Sequence, residues 1–211
     1  MQPGAWGVDR RPRRRHAGRG GRLQLYPTKN LGALGDGGLV CTADPSRAAR
    51  LARLRQYGWD YARISNEPGL NSRLDDEQAA ILRVLLPGLD RGNAPRRAIA
   101  AAYDDALSRS GTAPPRRRTS CIPAFHQYVI RAPAGASRPE LRSTLQDQGV
   151  STAIHYWPPL HRQPAYAGRL ALGPLGCRRT EQAAREVVSL PIHPQLSEAQ
   201  VDTVCAALRR L

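Results

Sequence analysis

The chain carries 32 basic side chains of the Lys and Arg type, and Lys29 is the one lysine among them. It is therefore the sole side chain with a primary amine. A guanidinium keeps its proton and forms no imine, whereas an amine in a shaped pocket adds to an aldehyde or carries a proton. So strong a bias fits a GC-rich coding sequence that replaces Lys by Arg wherever plain positive charge suffices. Two readings of Lys29 stand at this point: an amine kept for its chemistry, or a charge left by chance on a loop. Its surroundings favour the first. The segment from Tyr26 to Gly38 places Gly32, Gly35, Gly37 and Gly38 close together, which lets the backbone turn tightly and approach a ligand. Leu39 to Thr42 then reads as a buried strand.

Other chemistries are less well served. Cys41, Cys121, Cys177 and Cys205 lie far apart with no C-x-x-C pair, against both a zinc site and a disulfide framework, and are expected to be reduced and mostly buried. The net charge of +15 is concentrated: residues 1–22 hold seven arginines against one acid, Asp9, and a second run spans Arg116 to Arg118. A polyanion-binding module using the Arg-rich tail is the competing reading, although Trp6 is the tail's one aromatic residue and no nucleic-acid motif accompanies it. No stretch approaches the roughly 18 to 20 apolar residues of a membrane span, and residues 1–22 have no apolar signal core, so a cytoplasmic protein is expected.

The elements that must position Lys29 follow from local signals. Asp44-Pro45 predicts a helix closed by Gly58, with Leu51, Leu54 and Tyr57 on one stripe. Residues 59–73 read as an irregular loop. A second helix is expected over about 75–86, with Leu82 and Leu85 on its apolar face and Pro87 at its end, and a third over about 88–109. A Pro/Arg-rich linker occupies 112–120. Beyond it come a strand over Phe125–Arg131, a capping box from Ser137 to Glu140 that opens a helix to about Gln148, and a strand over Ser151–Tyr156. A helix over about 180–188, an apolar segment Ser189–Ile192 and a helix capped by Ser197 complete a small α/β domain over 121–211.

Four segments then act together. YPTKNLGALGDGG around Lys29, RQYGWD (55–60), GLNSRLDDEQAAILR (69–83) and IHYWPPLHRQPAY (154–166) resemble, in this order, the DegT/StrS family of pyridoxal-phosphate (PLP) sugar aminotransferases. The resemblance implies an α/β fold: the C-terminal portion of a PLP-dependent transferase, the end of its large domain (26–111) followed by the small α/β C-terminal domain. It implies that Lys29 holds PLP through an imine and later shuttles a proton between amino donor and cofactor, roles a guanidinium cannot fill. Asn71 matches the residue that reaches the PLP phosphate of a neighbouring subunit, which implies a homodimer with shared sites. His155, Tyr156 and His161 match the region that contacts the nucleotide-sugar, each histidine having a packed or surface role as its alternative. Arg73 is either a further substrate contact or a structural ion-pair partner.

The substrate so implied is a nucleotide-linked keto-deoxysugar of the dTDP-3-keto-6-deoxyhexose type. L-glutamate is the implied amino donor, and the product an amino-deoxysugar of antibiotics or surface polysaccharides. Sister dehydratases carry His in place of the lysine, and Lys29 argues against their chemistry.

The resemblance as read begins at Tyr26. The family's chain is about twice as long, and the part before the lysine would supply the Asp that pairs with the pyridine nitrogen. Gln24 and Leu25 stand where the family has Ser-Phe. Residues 1–25 are therefore expected to be a non-homologous tail, of the composition GC-rich DNA gives in a shifted frame. The chain is expected to be a truncated C-terminal half, with an inactive fragment or pseudo-enzyme as the alternative to an active transaminase.

Overall fold

The computed structural model describes residues 7–8, 20–110, 112–133 and 135–211. Its elements in chain order are β1 (Gly7–Val8), β2 (Gly21–Gln24), β3 (Gly38–Cys41), α1 (Pro45–Leu54), α2 (Asp76–Leu85), α3 (Leu89–Ser110), β4 (Ile122–Pro123), β5 (Tyr128–Arg131), α4 (Arg138–Asp147), α5 (Arg178–Glu186), β6 (Val187–Leu190) and α6 (Glu198–Leu208). Short 3-10 turns lie at Leu86–Gly88 and Leu160–Arg162.

The described residues form two compact units, one within residues 20–92 and the other made of residues 7–8 and 93–211. This division departs from the expected one at residues 111 and 112. The cause is α3, whose Ile99, Ala100, Tyr103, Ala106 and Leu107 are buried in the C-terminal core. The expected break at residues 25 and 26 also moves, because Gly21–Gln24 is a strand of the hairpin that carries the lysine loop.

In the unit within residues 20–92, β2 and β3 pair antiparallel from Gly21 opposite Cys41 to Gln24 opposite Gly38. Their long connection contains Lys29. It is anchored by a small core of Leu25, Ala33 and Leu82, with Leu31 and Leu74 packed against it. The expected buried strand at Leu39–Thr42 is corrected: β3 exists but is exposed along its length, since the sheet has two strands and no third element covers it among the described residues. Helix α1 starts where the sequence places it, with the Asp44 carboxylate accepting from the Ser46 and Arg47 amides at 3.0 and 3.1 Å. It ends at Leu54, and Tyr57 and Gly58 both take left-handed backbone, φ 60° and 74°.

In the other unit, β5 and β6 pair antiparallel, Tyr128 opposite Leu190 and Arg131 opposite Val187. The expected strand Ser151–Tyr156 shrinks to one bridge, in which Ala153 and Ser189 exchange backbone hydrogen bonds of 3.1 and 2.8 Å on the far side of β6. Leu107, Leu145 and Leu208 are fully enclosed among the helices and this sheet. Each such side chain contributes on the order of 1.5 to 3 kcal/mol relative to an exposed one. The expected capping box at Ser137/Glu140 is present, and the expected cap at Ser197 is a second capping box, closed by Gln200. The Pro/Arg stretch is not a free linker, because Arg117 pairs with Asp104 of α3 and stacks over Phe125 with 4.8 Å from guanidinium to ring centre. Asp104 also accepts from the Tyr128 hydroxyl at 2.6 Å, and burial first, then this carboxylate, pushes the phenol up. The cysteines depart from expectation too: Cys205 is buried, Cys121 and Cys177 are half-buried, and Cys41 is exposed on β3.

Candidate functional site

Lys29 sits on a loop fixed at both ends. The Leu25 amide donates to Gly37 O at 2.8 Å and the Ala33 amide to Leu25 O at 2.7 Å, so the segment folds back on itself. Within it the Lys29 amide closes a turn onto Tyr26 O at 2.8 Å. Helix α2 holds the far limb, where Gln78 Oε1 accepts from the Leu34 amide at 2.7 Å. A side chain at Gly32 would place its Cβ 2.5 Å from Pro27 O, so glycine is what permits this close return of the backbone. Lys29 itself is half-buried.

The segment expected to be irregular, residues 59–73, is strongly built. Asp60 accepts from the amides of Ala62 and Ile64 at 2.8 and 3.0 Å and from Asn66 Nδ2 at 3.0 Å. The Ile64 amide first, and the Asn66 side chain next, hold this carboxyl below the usual carboxylate range. At its base, the Tyr57 amide donates to Leu70 O and the Leu70 amide to Leu54 O, at 3.0 and 2.8 Å. The returning limb then bridges Asn71 to Gln56. Arg73 Nε donates to Asn71 Oδ1 at 2.8 Å, so these two expected site residues are direct partners. Asp60 and Trp59 were not among the sequence-derived candidates. Both lie in the segment RQYGWD, and their further local signal is an Asp two residues after a left-handed Tyr-Gly turn, with its own amide-rich loop behind it.

The remaining three candidates belong to the unit Asn93–Leu211. His155 Nδ1 lies 3.0 Å from Ser189 Oγ, which ties it to β6. The exposed Tyr156 meets the His155 ring edge to face at 5.2 Å between centres. His161 is packed against α5. Its side chain is 7% exposed, and Nε2 is 2.9 Å from Glu181 Oε1. Arg162 Nε donates to the same oxygen at 3.0 Å, and Arg185 lies 3.6 Å from the other. His161 first and Arg162 second hold the Glu181 carboxyl below its ordinary range, and the cluster fastens the turn Leu160–Arg162 to α5. Among the described residues no cluster of His, Cys, Asp or Glu has the makings of a metal site. No described helix is long and apolar enough to cross a membrane.

A lysine on a pinned glycine-rich hairpin loop, followed by helices and a small α/β unit, is the arrangement of the C-terminal portion of a PLP-dependent transferase. The chain belongs to the DegT/DnrJ/EryC1/StrS aminotransferase family, whose model matches residues 12–209. That match starts upstream of Tyr26, which corrects the expectation that residues 1–25 are wholly non-homologous. The chain is 44% identical over 188 residues to "Erythromycin biosynthesis sensory transduction protein EryC1" of Saccharopolyspora erythraea, covering 89% of this chain and 50% of that one. It is 43% identical over 189 residues to "dTDP-3-amino-3,4,6-trideoxy-alpha-D-glucose transaminase" of Streptomyces venezuelae, with 89% and 48% covered. Among solved structures, S. venezuelae DesV in complex with a ketimine intermediate matches with a TM-score of 0.79 at 41% identity, covering 89% of this chain and 50% of that chain. The chain spans about half the length of the curated relatives it matches.

Proposed function

We propose that this chain serves PLP-dependent transfer of an amino group from L-glutamate to a nucleotide-linked keto-deoxysugar of the dTDP-3-keto-6-deoxyhexose class, in the cytoplasm and as a homodimer with shared sites. The observation that carries the reading is Lys29: the chain's one amine side chain, half-buried on a loop whose backbone is fixed at Leu25, Ala33 and Gly37. The name of the S. venezuelae transaminase and the ketimine in DesV support the same chemistry for relatives.

The residues fit the cofactor at the point where it must be attached. An aldehyde needs a primary amine held in place, and the donor set offers one on a loop that leaves no room for a side chain at Gly32. Bound there, PLP supplies an electron sink beside the amino donor's Cα–H bond. Lys29 Nζ would hold the cofactor and would accept and return the proton. Asn71, oriented by Arg73, is the residue assigned to the phosphate. His155 and Tyr156 are assigned to the sugar-nucleotide, and His161 acts through Glu181 by fixing the turn that follows them.

Titration of the chain with PLP tests this reading. The expected result is a visible absorption band that borohydride reduces, absent from both Lys29→Ala and Lys29→Arg. The arginine variant keeps the charge and loses the imine. A band of equal strength in Lys29→Arg, or no band in the folded wild-type chain, would refute the assignment of Lys29.

A further inference from the structure

The run Arg116–Arg118, which the lysine chemistry leaves unused, ends in two adjacent hydroxyl residues, Thr119 and Ser120. From Thr112 to Arg118 the backbone takes neither helix nor strand, and Pro114-Pro115 favours an extended course. The turn over Thr119 and Ser120 is closed by the Cys121 amide on Arg118 O at 3.0 Å, and both hydroxyl residues are exposed. The three guanidiniums are not alike. Arg117 pairs with Asp104 of α3 and lies over the Phe125 ring, whereas Arg116 and Arg118 are exposed and make no ion pair among the described residues. Exposed cations outside any pair contribute little to the fold. Ahead of a hydroxyl on an extended surface segment, they form a pattern that an enzyme with an acidic groove reads through charge-assisted hydrogen bonds.

We propose that the Thr119–Ser120 turn is a phosphorylation site for a Ser/Thr protein kinase of basic specificity, and that the phosphoryl group draws Arg117 away from Asp104. The hydroxyl oxygen attacks the γ-phosphorus of ATP, a phosphate ester forms as the bond from that phosphorus to the β,γ-bridging oxygen breaks, ADP leaves, and the hydroxyl proton passes to the kinase's base. The product carries about −1.5 to −2 charge at pH 7 and three strong acceptor oxygens, two or three residues from Arg117. Asp104 offers the same guanidinium one charge and shares its oxygens with the Tyr128 hydroxyl at 2.6 Å. Tyr128 in turn meets the buried Tyr103 edge to face at 5.3 Å between ring centres, so the change at the turn reaches the core of its own unit.

The probe is the catalytic subunit of cyclic-AMP-dependent protein kinase with magnesium and γ-labelled ATP, acting on the full chain and on a peptide of residues 112–124. Both are expected to take up label, and mass spectrometry is expected to place one phosphate per chain on Thr119 or Ser120. The double variant Thr119→Ala/Ser120→Ala is expected to lose at least tenfold in incorporation, and Arg116→Gln/Arg118→Gln to slow it severalfold. These four side chains are exposed, and circular dichroism establishes that the variants are folded. Label elsewhere in the chain, undiminished incorporation in the double alanine variant, or a labelled peptide beside an unlabelled folded chain would each overturn the site, as would a peptide that takes no label. The second step is read from the Arg117 side-chain resonances in nitrogen NMR, which are expected to shift on phosphorylation toward their positions in Asp104→Asn. Unmoved resonances in the phosphorylated chain would overturn the transfer of Arg117. None of these readouts involves PLP or Lys29, so their outcome is independent of the borohydride assay.

Discussion

Gly58→Ala gives the sharpest test of how the loop after α1 is built. Gly58 has φ 74°, and a Cβ there would lie 1.8 Å from Glu67 O, far inside any ordinary contact. Two costs add. A left-handed alanine costs roughly 1 to 2 kcal/mol by itself. The clash is with backbone, so one limb must move, and the Asn66 amide bond to Gly58 O at 3.2 Å is lost with it, along with part of the Asp60 cluster. Each such hydrogen bond is worth about 1 kcal/mol net, which brings the total to about 3 to 4 kcal/mol. Gly149→Ala is the matched control, because Gly149 has φ 78° with nothing within 4 Å of the added Cβ, so only the backbone cost of about 1 to 2 kcal/mol applies there. For a chain of this length 1 kcal/mol corresponds to roughly 2 to 4 °C in Tm. Thermal unfolding followed by circular dichroism should therefore place Gly58→Ala several degrees below Gly149→Ala. Equal midpoints for the two variants would refute the close approach of Gly58 to Glu67 and, with it, the rigid shape of the loop built on Asp60.

Three further outcomes follow from single contacts. The folded Glu181 carboxyl lies below its ordinary range because of His161 and Arg162, so the stability it contributes is complete above the unfolded-state value and fades as pH falls through the folded one. In His161→Ala the carbon NMR titration of the Glu181 carboxyl should move up toward the ordinary value, and an unmoved titration would exclude His161 as its main partner. Arg96 is buried, its guanidinium is pushed down by burial, and its Nη1 donates to Phe125 O at 3.0 Å and Ile192 O at 2.9 Å. Arg96→Met strands both carbonyls and should cost about 2 to 4 kcal/mol in urea unfolding, whereas a loss below 1 kcal/mol would show that water replaces the guanidinium there. Gln78→Ala releases the Leu34 amide at the far limb of the lysine loop and should speed amide exchange at Leu34 without changing that of core amides such as Leu145; unchanged exchange would exclude Gln78 as the anchor.

What the sequence reveals of this fold tracks the range of the interaction. The start of α1 at Asp44-Pro45, the capping box at Ser137 and the cap at Ser197 are written within four residues each, and the structure has them where the sequence places them. The glycine-dense turn around Lys29 is equally local, which is why the loop was legible although its anchor on Gln78 was not. Contacts between distant segments are another matter. An apolar run such as Leu39–Cys41 has the same pattern whether or not a neighbour covers it, and here it is an exposed strand. The strand expected over Ser151–Tyr156 yields to a single bridge because Ser189, far along the chain, pairs with Ala153 alone. The same limit governs the site. A histidine in a polar turn looks alike whether or not it has a partner, and the contact of His161 with Glu181, on a separate helix, is one that no local pattern announces. Residues 59–73 show it most clearly. Their polar, glycine-bearing composition describes a loop, but only the return of Gly69 to within 2.2 Å of Gly58 N, measured from an added Cβ, shows how tightly the two limbs close. Shape there comes from pairs of residues that composition treats one at a time, and Tyr61 and Arg63, so placed, are residues that no local pattern had singled out.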